Sequence, residues 1–183
     1  KPHRANNPAD KIVKNLKKIK EIKLDNGTKN FQASNLEITK INIDNHADNV
    51  IPGSASAVFN IRFNNKHSSN SLKRKLNTIF KSMAKKAKCK FNINYQVSGE
   101  AFLTKPNRTT YMVQNTIKKI TQIKPKLSTT GGTSDARFIK KIAPCLEFGL
   151  VGKTMHKVDE SVPLSDLKKL TNIYLNILKN YFK

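Results

Sequence analysis

His156 follows a run of glycine and small residues, Gly149-Leu-Val-Gly152-Lys-Thr-Met, and stands four positions before Glu160. Upstream lies Ser128-Thr129-Thr130-Gly131-Gly132-Thr133-Ser134-Asp135-Ala136-Arg137-Phe138. Paired glycines flanked by hydroxyls let a backbone approach a ligand closely and offer it amide donors. A neutral imidazole is the commonest metal ligand, and a nearby carboxylate such as Glu160 can orient it. Together the two stretches read as one wall of an active site. No second His, Asp or Glu lies at a spacing that completes a metal centre, and zinc needs three or four ligands. Taken alone, His156 therefore fits a structural histidine as well as a ligand.

Three further positions could bind rather than react. Arg62 falls on the polar phase of an alternating run, Ala57 to Phe63, where a planar guanidinium suits bidentate capture of a carboxylate or an ordinary surface ion pair. Asn49 precedes Val-Ile-Pro-Gly53, which is turn chemistry. Gly131 to Ser134 leads into a helix predicted over Asp135–Ile142, whose amides would suit a substrate carboxylate. A phosphate is disfavoured, because the GxxxxGK[ST] spacing is absent. His46 and His67 sit in polar, turn-like contexts and read as solvated; His3 at the terminus is left unassigned.

These residues need elements to hold them. Ile12, Val13, Leu16, Ile19 and Ile22 recur at helical spacing after Pro8, ending near Asp25-Asn26-Gly27. Leu36 and Ile38, then Ile41 and Ile43, alternate in two phases, which implies a bulge or a kink in a strand. A second strand covers Ala57 to Phe63, a helix Ser69 to Lys88, and a third strand Cys89 to Val97. That order, α-β-β-α-β, becomes the βαββαβ ferredoxin-like sandwich if one strand precedes residue 1. Beyond a boundary at residues 98–106 the pattern predicts a helix over 107–122, a short buried strand over 145–151 and a terminal helix from Leu164 to Tyr181. The second part is α/β in flavour but too short for a complete layered domain.

Composition sets the outer limits. At 183 residues the chain can bury a core, and no apolar run approaches the ~20 residues of a membrane span. The opening Lys1-Pro2-His3 has no initiator Met and reads as an interior start. Cys89 and Cys145 lack CxxC spacing and read as buried free thiols, in keeping with a reducing cytoplasm. The net charge of +23 suggests a polyanion partner, yet only five of the 35 basic residues are Arg and the lysines are scattered. With Asn and Ile also abundant, the charge fits a general drift toward Lys, Asn and Ile. A basic ferredoxin-like module holding RNA is the alternative, against which stands the missing RNP-type aromatic motif.

Six ordered motifs then carry a resemblance. They are Pro2-His3-Arg-Ala-Asn-Asn-Pro8, Asn49-Val-Ile-Pro-Gly53, Phe59-Asn-Ile-Arg62-Phe63, Ser98-Gly99-Glu-Ala-Phe-Leu-Thr104, Gly131-Gly-Thr-Ser-Asp-Ala-Arg-Phe138 and Thr154-Met-His156-Lys-Val-Asp-Glu160. Across essentially all 183 residues the chain resembles the zinc-dependent aminoacylase and acetylornithine deacetylase group of metallopeptidases, on its desuccinylating branch.

The resemblance implies an α/β fold in which residues 1–104 form a ferredoxin-like lid lacking its first strand. Residues 105–183 would close a zinc-peptidase catalytic domain, so the chain would be the C-terminal half of an enzyme and inactive alone. It implies hydrolysis of N-succinyl-LL-2,6-diaminopimelate to succinate and LL-2,6-diaminopimelate, a cytoplasmic homodimer joined through the lid, and neither nucleic acid nor membrane as partner. His156 would ligate one of two zinc ions, with cobalt an alternative for the second; the other ligands and the glutamate base would lie upstream. Arg62, Ser98, Gly132 and Thr133 match positions that hold the substrate's carboxylates, and Asn49 matches a lid residue reaching the partner's substrate. Lys1 stands where the family has Tyr, Gly152 where Asn is frequent, and Ala136 at a usual Gly. These departures leave a related N-acyl amino acid open as substrate.

Overall fold

The computed structural model describes residues 6–132 and 134–183, so Lys1, His3 and Thr133 lie outside the described residues. The chain divides into two compact units, one running to Phe102 and the other from Leu103.

In the first unit, α1 spans Pro8–Lys20, β1 Asn35–Asn42, β2 Ser56–Arg62 and α2 Ser69–Ala87. Asn7 caps α1 through its side chain, with Pro8 at the first helical position, where a missing N–H leaves nothing unsatisfied. The two strands pair antiparallel from Asn35↔Arg62 to Asn42↔Ser56. The expected bulge is present: register shifts between Ile38 and Lys40, leaving Thr39 as the extra residue. Ala57, Phe59 and Ile61 turn inward while Ser56, Val58, Asn60 and Arg62 face out. Leu16 and Ile19 of α1, Leu36 of β1, and Leu76 and Met83 of α2 form the buried core, with Phe59, Phe80 and Tyr95 packed against it. Val13, expected on the buried face of α1, is exposed.

The third strand expected over 89–97 does not form; the sheet of the described residues is two-stranded. Alternation survives in part: Cys89, Ile93 and Tyr95 are half-buried, while Phe91 and Val97 of the same row are exposed. The segment is anchored to α2 by side chains instead. Tyr95 Oη donates to Asn77 Oδ1 at 3.2 Å, and Phe91 packs on Phe80 with centroids 6.1 Å apart. Period two thus reports which side chains face a core, while a ladder also needs a neighbouring backbone in register.

In the second unit, α3 spans Arg108–Thr121, α4 Ala136–Ile139 and α5 Leu164–Tyr181. Asn107 and Thr110 close a capping box on α3. Val113 and Ile117 of α3 pack on Ile173 of α5, with Phe148 against them. Of the apolar stripe expected on α5, Ile173 is buried, while Leu167, Tyr174 and Leu178 are exposed. The strand expected over 145–151 is absent, because no partner strand lies among the described residues of this unit. Its middle is fixed by Tyr174, which donates from Oη to the Phe148 carbonyl. The helix expected over Asp135–Ile142 shrinks to four residues. Asp135 makes no side-chain cap bond, and the chain tightens into i→i−3 turns at Lys141 and Ile142. No helix of the described residues is long and apolar enough to cross a membrane.

Candidate functional site

In the first unit, Arg62 closes β2 and its side chain faces outward, opposite the Phe59/Ile61 row, as its phase requires. Asn49 is exposed in the β1–β2 connection. That turn is braced by Asn45, whose Nδ2 donates to the carbonyls of Ala47 and Val50 at 3.0 and 2.6 Å. Ser98 is exposed on the chain after α2. Two residues on, both Glu100 carboxylate oxygens accept from Ser69 N at 3.1 Å, so an anion caps the positive end of α2 and fixes this segment there.

Sequence reasoning missed a polar knot beside Arg62. Asp25 Oδ1 accepts from Gly27 N at 2.6 Å and from Asn64 Nδ2 at 2.7 Å, and both of its oxygens lie within reach of Ser34 N. His67 Nε2 lies 3.1 Å from Oδ2, and an ionised carboxylate only accepts, so Nε2 carries the proton. The Ser34 hydroxyl accepts from Asn64 N at 3.0 Å. His67, expected to be solvated, is instead packed in, its side chain 15% exposed and that of Asp25 6%. His46 is solvated as expected, at 96%. Burial opposes the charge on Asp25. Hydrogen bonds from Ser34, Gly27 and Asn64 outweigh it and hold the carboxyl well below the usual carboxylate range. The available signal was Asp25-x-Gly27, an Asx turn whose glycine sits at φ 80°.

In the second unit, Gly131 and Gly132 are exposed, and a Cβ at either would meet nothing within 4 Å. The loop is therefore open on its glycine side. Before it, Ser128 Oγ and Thr130 Oγ1 lie 2.6 Å apart; after it, Arg137 Nη1 donates to the Ser134 carbonyl at 3.0 Å. With α4 a single turn, the loop's donors are individual amides rather than the end of a helix dipole.

His156 sits on a separate loop. Thr154 Oγ1 accepts from Ser161 N at 2.9 Å and donates to Ser161 O at 2.8 Å, clasping residues 154–161. Within the clasp, His156 takes φ 63°, a left-handed conformation in which histidine is enriched over bulkier residues. Its imidazole is exposed, and Glu160 accepts from its backbone N at 3.4 Å rather than from its ring. Among the described residues no three His, Cys, Asp or Glu cluster to hold a metal. They do not make a zinc centre; His156 fits one corner of one. A cavity of about 470 Å³ beside α3, lined by Arg108, Tyr111, Met112 and Asn180 among others, contains none of the predicted residues. Cys89 and Cys145 are free and half-buried.

Residues 7–180 match the model of peptidase family M20/M25/M40. The chain is 74% identical over 181 residues to the succinyl-diaminopimelate desuccinylase of Pelagibacter ubique, covering 99% of this chain and 47% of the relative. It is 47% identical to the protein of that name from Bradyrhizobium diazoefficiens, with 99% and 47% covered. For the Rickettsia bellii protein of that name the identity is 45%, with 97% and 45% covered. The chain spans about half the length of the curated relatives it matches.

Proposed function

The chain belongs to the M20/M25/M40 peptidase family, and from that premise we propose that it forms the C-terminal half of an amidohydrolase. Its substrate would be N-succinyl-LL-2,6-diaminopimelate, cleaved to succinate and LL-2,6-diaminopimelate on a route to lysine. The observation that carries this reading is the exposed imidazole of His156, held at positive φ by the Thr154–Ser161 clasp with no second ligand cluster beside it among the described residues. An exposed imidazole on that loop supplies one of the three or four ligands a zinc centre needs. Zinc, when bound, supplies Lewis acidity for the amide carbonyl and a bound water of lowered pKa. Arg62, Ser98, Gly132 and Thr133 hold the substrate's carboxylates, in line with the outward guanidinium and the open glycine loop.

The first unit is the lid and joins two copies into a cytoplasmic dimer; its two-stranded ribbon becomes the four-stranded ferredoxin-like sheet with a strand ahead of residue 1 and with pairing of the 89–97 segment. Both helices contribute to the core on one face of the ribbon, while Val58 and Ile41 remain exposed. Asn49 reaches toward the partner's substrate from the braced turn. The 183 residues alone are inactive.

A chimera tests this reading: the present chain fused to the N-terminal half of the Pelagibacter ubique relative. It should hydrolyse the succinylated substrate with zinc bound. His156→Ala should lower zinc content, measured by atomic emission, and cut kcat/KM by at least about 100-fold, as losses around metal ligands do. Full zinc occupancy and full activity in that variant would remove His156 from the centre.

A further inference from the structure

We infer that Asp25 is a positioning residue for Arg62: its carboxylate knot fixes the end of β2 from which the guanidinium projects. This rests on the reading of Arg62 as a substrate-carboxylate clamp. Arg62 is paired with Asn35 in the last rung of the β1–β2 ladder. Both sides of that rung are tied to one carboxylate. Ser34, preceding Asn35, donates its N–H to Asp25, and Asn64, two residues past Arg62, donates its side-chain amide. The Ser34 hydroxyl joins the two sides directly by accepting from Asn64 N, and Asn64 Nδ2 also reaches the Gln32 carbonyl at 2.9 Å. His67 extends the tie to Ser68, the N-cap of α2.

The chain therefore cannot fray at Arg62 without breaking part-buried hydrogen bonds to a charged acceptor, the stronger class of such bonds, and the buried one from Asn64 N to the Ser34 hydroxyl. Arg62 itself is exposed, so its aim is set by its backbone rather than by packing. Asp25→Asn keeps the shape but replaces one acceptor oxygen with a donor. At the Oδ2 position, Ser34 N–H and His67 Nε2–H would then face an N–H₂ group, and a half-satisfied network loosens the exit of β2.

The experiment is a double-mutant cycle in the chimera, with N-succinyl-LL-2,6-diaminopimelate as substrate. Asp25→Asn should raise KM about tenfold while kcat stays within about twofold, the pattern of lost ground-state binding. Arg62→Ala should raise KM at least as much, and the double variant should match Arg62→Ala alone, because contacts acting through one group are not additive. Ser34→Ala, a milder cut through the same knot, should move KM in the same direction and decides the matter if Asp25→Asn does not fold. Multiplying KM effects overturn the inference and leave the clamp standing. So does a lowered thermal midpoint with KM untouched in the Asp25 and Ser34 variants. An unchanged KM in Arg62→Ala overturns the clamp itself, and the inference with it.

Discussion

Asp25 is ionised against the cost of its burial because donors from four residues converge on it. A carboxyl with a depressed native pKa contributes stability above its unfolded value, about 3.9 for Asp, and loses it as pH falls toward the native value. Acidification from about pH 5 to about pH 3 should therefore lower the thermal midpoint of the chimera, and less steeply in Asp25→Asn. Equal slopes in the two proteins would show that other carboxyls carry the acid sensitivity. Gly27 belongs to the same corner. It sits at φ 80°, and a Cβ added there would stand only 2.8 Å from Phe31 O, so a side chain there is strained and the neighbouring backbone must shift. Gly27→Ala should cost about 1–3 kcal/mol in chemical denaturation, the scale of local backbone strain. A variant as stable as the parent would mean that the turn rearranges freely.

At the scale of elements, α2 bears most on the first unit. Its Leu76 is 2% exposed and central to the core, and Ser68 and Ser71 cap it reciprocally. Leu76→Ala should cost about 2–5 kcal/mol and Ser68→Ala about 1 kcal/mol, read from urea midpoints. A larger loss at the cap than in the core would reverse this ranking. Helices α1, α2 and α3 were legible in the sequence for one local reason: Asn7, Ser68 and Asn107 cap close to where apolar periodicity begins, whereas Asp135 makes no cap bond and the helix expected there shrinks to one turn. The bulge at Thr39 was legible as well, because a switch of phase within one strand is itself local. Strands over 89–97 and 145–151 were not, since pairing is decided by a distant backbone that alternation does not encode. The site divides similarly. The outward phase of Arg62 could be read from period two, whereas the knot joins positions 25, 34, 64 and 67, whose spacing carries no motif.

Across the whole molecule, apolar exposure is uneven. In the second unit Val158 is 91% exposed, Ile142 88% and Phe182 79%, and much of the α5 stripe faces solvent. Monomeric soluble proteins rarely leave contiguous apolar patches beyond a few hundred Å² uncovered, and larger ones mark interfaces. The net charge of +23 opposes self-association by mutual repulsion, but salt at physiological strength screens surface charges beyond about 8 Å. Hydrophobic attraction is not screened, so association of the 183-residue chain should increase with salt. Sedimentation velocity should show a monomer at low ionic strength shifting to larger species as salt rises, with 8-anilinonaphthalene-1-sulfonate fluorescence high throughout. Fusion to the N-terminal half of the Pelagibacter ubique relative should quench the dye signal and leave one discrete species, because that half would cover the second unit's apolar surface. A free chain that stays monomeric at high salt and binds no dye would mean that these side chains find cover within the chain itself.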